Sequence, residues 1–211
     1  MSAQSQKGRK VFVFLSACAV SATIVVLAAQ AIERSGPAHR IRALMPVIGA
    51  QVVDQPLSGE LADHRLEMPP PRADAPPSRF GTIASFEPGT LIFLNFWATW
   101  CEPCVRELPS MRGLARKLGA QKFAMVAVSY DDDWETILEF FKGAPKDLHV
   151  WRDPKQESKG PDKALRLKFG TDKLPETYVI RDGQILARFV NERNWTNGTI
   201  VEYFERLLEL K

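Results

Sequence analysis

The sequence predicts an α/β domain in which a mixed central sheet is sandwiched between helices in three layers. Three observations carry this. Apolar runs of strand length, Leu91–Trp97 and Phe123–Ser129, alternate with stretches of helical spacing. Tyr178–Ile180 and Gln184–Val190 flank Asp182-Gly183, the strongest short signal for a tight hairpin. Thr199–Leu210 then closes the chain as an amphipathic helix.

Each element follows from its own residues. Leu91–Trp97 is continuously apolar but for Asn95 and is bounded by Pro88-Gly89, so it reads as a buried central strand. Pro103–Leu118 places Val105, Leu108, Met111, Leu114, Ala115 and Leu118 at helical spacing, with a proline in the first turn. Phe123–Ser129 is a second buried strand, and Trp134–Lys142 a helix entered through the acidic cap Asp131-Asp132-Asp133. Leu148–Trp151 is a short third strand, followed by a helix from about Asp162 to Phe169 that stops at Gly170.

A chain of 211 residues holds one well-cored domain plus accessory segments. Its 28 basic and 25 acidic side chains are interspersed and leave a net charge of +3, which is no footprint for nucleic acid. Residues 1–34 stand apart. Lys7, Arg9 and Lys10 precede an uncharged, largely apolar run, Val11–Ile32, which as a helix is long enough to cross a bilayer. The positive flank stays inside, so the domain is expected on the periplasmic, extracytoplasmic side, tethered by this helix. Ala29-Gln30-Ala31 has the form of a signal-peptidase site and Leu15-Ser16-Ala17-Cys18 that of a lipobox, and both alternatives also place the domain outside.

Residues 35–79 are expected to form a stalk with one short strand. Within it Pro69, Pro70, Pro71, Pro76 and Pro77 make a semi-rigid spacer or a covering loop. The globular domain is read as residues 80–211.

The chemistry lies in Trp100-Cys101-Glu102-Pro103-Cys104, where a strand feeds a helix. Two thiols at this spacing share one helix face and can close a short disulfide. The first-turn amides and the helix dipole favour an anion there, and thiolate is the nucleophile in disulfide exchange. Cys101, at the mouth, is the attacking thiol; Cys104, one turn deeper, resolves the mixed disulfide. A zinc site is disfavoured, because the third cysteine is Cys18 in the apolar segment and His39, His64 and His149 are scattered. An inert disulfide is disfavoured by the junction itself. No metal and no cofactor are expected, since the two sulfurs exchange electrons by themselves.

Asn95-Phe96-Trp97-Ala98-Thr99-Trp100-Cys101-Glu102-Pro103-Cys104, followed by Glu107, Leu108 and Pro109, resembles the signature of the TlpA/ResA/CcmG family of membrane-tethered, thioredoxin-like proteins. Leu174-Pro175-Glu176-Thr177 resembles that family's cis-proline loop, and Arg193-Asn194-Trp195 its segment after the hairpin. The resemblance implies a thioredoxin-like sandwich and a thiol:disulfide oxidoreductase. It implies that Glu107 manages protons at the buried thiol, and that Leu174 and the cis-bonded Pro175 face the cysteines and meet the client. Trp100, Glu102 and Pro103 would complete the client surface. For Trp97, core packing competes with a role in walling off the sulfurs. One departure is that the Pro-rich stretch and a compact Arg79–Glu87 segment replace the longer polar hairpin usual in front of the central strand.

Glu102 bears on direction. A carboxylate close to Cys101 destabilises the thiolate, hence the reduced state, and lowers the potential. Relatives with Glu-Pro between the cysteines resemble reductases that return electrons to apocytochrome c or to metal-site assembly cysteines. Partners would then be disulfide-containing clients and a membrane electron donor. The competing reading is a non-catalytic metal- or partner-binding assembly factor; a peroxidase fits less well, because it wants a lone reactive cysteine.

Overall fold

The computed structural model describes residues 36–72, 74–155 and 163–210, together with Val26. It divides into two units, residues 1–43 and 44–211. Helix α1 (Pro37–Leu44) runs up to and just past the boundary in sequence. The predicted membrane segment, Val26 apart, lies outside the described residues, and among those described no helix is long and apolar enough to cross a membrane.

The second unit is built on one sheet of eight strands: β1 (Ala50–Pro56), β2 (Leu66–Glu67), β3 (Phe80–Gly81), β4 (Leu91–Trp97), β5 (Phe123–Ser129), β6 (His149–Arg152), β7 (Glu176–Arg181) and β8 (Gln184–Val190). Their spatial order is β1-β8-β7-β4-β5-β6-β2-β3. Strands β4, β5 and β6 run parallel, joined through helices α3 (Glu102–Leu118) and α4 (Trp134–Phe141). Strand β7 pairs antiparallel with β4, and β8 with β7, so the sheet is mixed as expected. Two short helices, α2 (Gly59–Ala62) and α5 (Leu165–Lys168), a 3-10 turn at Ile83–Ser85 and helix α6 (Gly198–Glu209) complete the described part of the unit.

The central strand β4 is buried along its whole length, because helices cover both faces of the sheet. Alternate residues divide between the layers. Phe93 packs on Trp195 and on Phe204 of α6, whereas Phe96 meets Tyr130, Phe169 and Tyr178. The hairpin turn is Asp182-Gly183, both residues having positive φ (49° and 71°) as a tight primed turn demands.

The expected stalk is where the structure departs most from the sequence reading. Within residues 35–79, β1 adds to the sheet beside β8 and β2 adds beside β6. The Pro-rich stretch is the connection between β2 and β3, which pair antiparallel. Short strands of this kind are held by tertiary pairing and carry little periodicity of their own. Helix α4 stops at Phe141 rather than Lys142, because Lys142 turns left-handed (φ 56°) and Gly143 N–H closes onto Leu138 O at 2.8 Å. Helix α5 begins only at Leu165, later than expected.

Candidate active site

Cys101 is the N-cap residue of α3, and Pro103 and Cys104 lie in its first turn. The two cysteines form a disulfide with their Cα atoms 5.3 Å apart. A helix start leaves its first amides without intrahelical acceptors, so the field there favours a thiolate on Cys101 once the bond is reduced. Cys101 is 6% exposed and Cys104 only 1%, an asymmetry that leaves the first sulfur as the one a client can reach.

Cys101 opens onto a groove of about 630 Å³ whose walls include Trp100, Glu102, Pro103, Tyr130, Arg166 and Leu174. Trp100 is 70% exposed at its rim. The Leu174–Pro175 bond is cis. Pro175 itself is buried and its carbonyl accepts from Asn191 N–H at 3.1 Å, so Leu174 is the part of the loop that lines the groove. Trp97 is core: it is 1% exposed and packs against Phe140 and Phe141.

Glu102 is not a lone charge. Its carboxylate accepts from Arg106 Nη1 at 2.7 Å, one helical turn on. Arg106 also donates through Nε and Nη2 to the two carboxylate oxygens of Glu192, each at 2.8 Å. Two carboxylates and one guanidinium make a cluster with a single net negative charge, so Glu102 is partly neutralised by its partner.

Glu107 follows Cys104 by nearly one turn on the buried side of α3. Its carboxyl accepts from Asn95 Nδ2 (3.1 Å), Trp195 Nε1 (2.9 Å) and Arg193 N–H (3.2 Å). Burial pushes its pKa up to about 7, against the pull of these three donors and of the Arg193 charge. A carboxyl poised near neutrality inside the protein can take a proton from a neighbouring thiol and give it back.

The loop that delivers Cys101 is anchored from below. Asp131 is buried and accepts from Thr99 N–H (3.1 Å), Thr99 Oγ1 (2.6 Å) and Ser129 Oγ (2.5 Å). One groove wall is fixed in the same manner. Tyr130 donates to Asp153 at 3.2 Å, and Asp153 also accepts from Leu165 N–H and contacts His64. Burial and the Asp153 charge hold the Tyr130 hydroxyl protonated.

Comparison with known proteins agrees with this geometry. A profile of the thioredoxin-like family matches residues 89–185. The fold is thioredoxin-like. The thiol-disulfide oxidoreductase ResA of Bacillus thuringiensis subsp. konkukian is 29% identical over 120 residues, which is 56% of this chain and 64% of that protein. The thiol:disulfide interchange protein DsbE of Pasteurella multocida is 28% identical over 61% of this chain and 67% of its own length. The chain thus spans somewhat under two thirds of the ResA relative it matches. The crystal structure of StoA from Bacillus subtilis shares the fold, with a TM-score of 0.50 and 18% identity, covering 68% of this chain and 98% of that one. These relatives support the resemblance to the TlpA/ResA/CcmG group drawn from the cysteine signature.

The thioredoxin-like fold thus brings Trp100, Cys101, Glu102, Pro103 and Leu174 around one groove, while Cys104, Glu107 and Pro175 are buried and do not line it. Sequence reasoning missed Arg106, Asp131, Arg193 and Trp195 as working parts of the site. For Asn95 there was a signal, because a polar residue inside an otherwise apolar buried strand must find partners. Arg193 and Trp195 stood out in the segment after the hairpin and Asp131 in the acidic run before α4, but the partners that give them a role, Glu107 and Thr99, lie far along the chain, and Arg106 pairs as surface residues commonly do.

Proposed function

We propose that this protein is an extracytoplasmic thiol:disulfide oxidoreductase working as a reductase of protein disulfides, tethered to the membrane by its N-terminal segment. The observation that carries the reading is the Cys101–Cys104 disulfide at the start of α3, with the first cysteine on an open groove and the second buried and followed nearly one turn later by a buried carboxyl. The relatives named as thiol-disulfide oxidoreductases support it, and the net negative charge around Glu102 favours the reducing direction.

In the reaction the Cys101 thiolate attacks a client disulfide, forming a mixed disulfide and releasing one client thiolate. Cys104, deprotonated by Glu107, then attacks the Cys101 sulfur. The second client thiolate leaves, and the protein is left in its bridged form. Two electrons pass to the client. A membrane-embedded dithiol donor resets the pair, and clients are disulfide-bearing proteins such as apocytochrome c or metal-site assembly factors.

The test is to reduce the purified protein, mix it with a protein disulfide and follow both partners, and in parallel to trap the client on the Cys104→Ala variant in cells. Stoichiometric transfer and a captured adduct on Cys101 are expected. A pair that never cycles overturns the reading, and a measured potential near that of the strong oxidants, about −120 mV, reverses its direction.

A further inference from the structure

Glu107 sits in the wall of a second cleft, of about 510 Å³, which is formed by α3 and the loop after β8. Arg106, Ser110, Glu192, Arg193 and Asn194 line it with Glu107, and it shares no lining residue with the client groove. We propose that Glu107 exchanges its proton with solvent through this cleft, while a client fills the groove, and that Trp195 is the positioning residue that holds the carboxylate for the task. The proposal rests on the reductase reading above and deepens it.

Trp195 is built for this. It is fully buried, its ring is wedged against Phe93 and Phe189, and its own N–H donates to Ser110 Oγ at 3.1 Å. Ser110 in turn donates to the backbone carbonyl of Glu107 at 2.7 Å, so α3 and the backbone of the Trp195 loop are joined at Glu107. The indole N–H is therefore aimed at Glu107 Oε2, and the ring has no room to turn away. Arg193 is fastened by Nη1 to Ile48 O (2.7 Å) and by Nη2 to Val190 O (2.8 Å), which fixes the adjoining N–H that also meets Oε2.

The groups facing Glu107 are few. Strand β4 presents Asn95, and Thr177 of β7 accepts from that same amide rather than meeting the carboxyl. The loop after β8 presents the Arg193 charge and Trp195, while α3 carries Cys104 and, on the cleft wall, Arg106 paired with Glu192. When Cys104 attacks the mixed disulfide its proton passes to Glu107, whose carboxyl then releases it to water in the cleft. No electron moves in that step.

A hydrogen bond to the ionised form stabilises it, so removing the indole donor raises the carboxyl's titration midpoint by about one pH unit. The experiment follows the Glu107 side-chain carbon by NMR against pH in the oxidised full-length protein, for wild type and Trp195→Phe, and follows Cys104 alkylation against pH in the reduced proteins. An upward shift of about one unit in both profiles is expected. A midpoint that stays put, or one that moves without moving Cys104, overturns the positioning role.

Should Trp195→Phe fail to fold, the wild-type indole N–H resonance must itself titrate with Glu107, and one that is indifferent to pH refutes the contact. The route is tested in a mixed disulfide of Cys101 with a short cysteine peptide, in the Cys104→Ala background. Glu107 still titrating in fast exchange is expected, and its loss from titration there overturns the separate cleft. Because the NMR arms need no turnover, their failure is distinct from a failure to reduce clients.

Discussion

Glu102 and Glu107 lie on the same helix on either side of Cys104, with the same carboxyl and opposite circumstances. The Glu102 side chain is 85% exposed and shares an ion pair with Arg106; Glu107 is 3% exposed and is met by three fixed donors. Water and the Arg106 counter-ion screen the first, so it acts as a weak field on the client side. Burial raises the second to about 7, which suits the proton-carrying role proposed for it at the resolving sulfur. Solvent access, set by which way each residue faces on the helix, separates a modest electrostatic influence from a chemical one.

The largest effect belongs to the sulfurs. Cys101→Ser removes the nucleophile, and client reduction should fall to background in a stopped assay of thiol release. Glu107→Gln comes next, and it should slow resolution of the mixed disulfide by about 10²-fold near pH 7, while flattening the rise of that rate with pH.

The same variant sharpens the burial argument. A carboxyl whose pKa is higher in the folded than in the unfolded chain is held protonated by folding. Stability should therefore fall as pH climbs from about 4.5 towards about 7, and Glu107 should account for a fall on the order of 3 kcal/mol. Denaturant titrations across that window should show this component in wild type and not in Glu107→Gln.

Asp131→Ala tests how far the loop before Cys101 depends on its anchor. It strands the Thr99 amide, the Thr99 hydroxyl and the Ser129 hydroxyl, and should cost about 3 kcal/mol of stability by denaturant melts. The smallest effect belongs to Glu102→Gln. With Arg106 still held by Glu192, the potential should rise by less than about 20 mV, because the thiolate loses only a screened neighbour. A larger shift would mean that Glu102 senses the sulfur more directly than its exposure implies.

The central strands, the hairpin and both long helices were legible because each announces itself locally. Leu91–Trp97 and Phe123–Ser129 are unbroken strand-length runs, and Asp182-Gly183 has few other uses than the turn it makes. The cysteine pair was legible for the same reason, its spacing and its strand-to-helix junction both being local facts. One short strand was foreseen among residues 35–79, but not that both β1 and β2 join the sheet, since seven and two residues of mixed character take their places only when β8 and β6 offer them a ladder.

By itself the chain determined where the sulfurs sit, which end of a helix they occupy and that a carboxyl follows one turn later, because helical geometry is a matter of spacing. The tertiary structure alone decided that this carboxyl would be buried, which donors would meet it and which cleft it would face. Trp195 and Glu107 are 88 residues apart in sequence and 2.9 Å apart in space. No local pattern encodes such a meeting; it follows from packing α3 and the loop after β8 on the same side of the sheet.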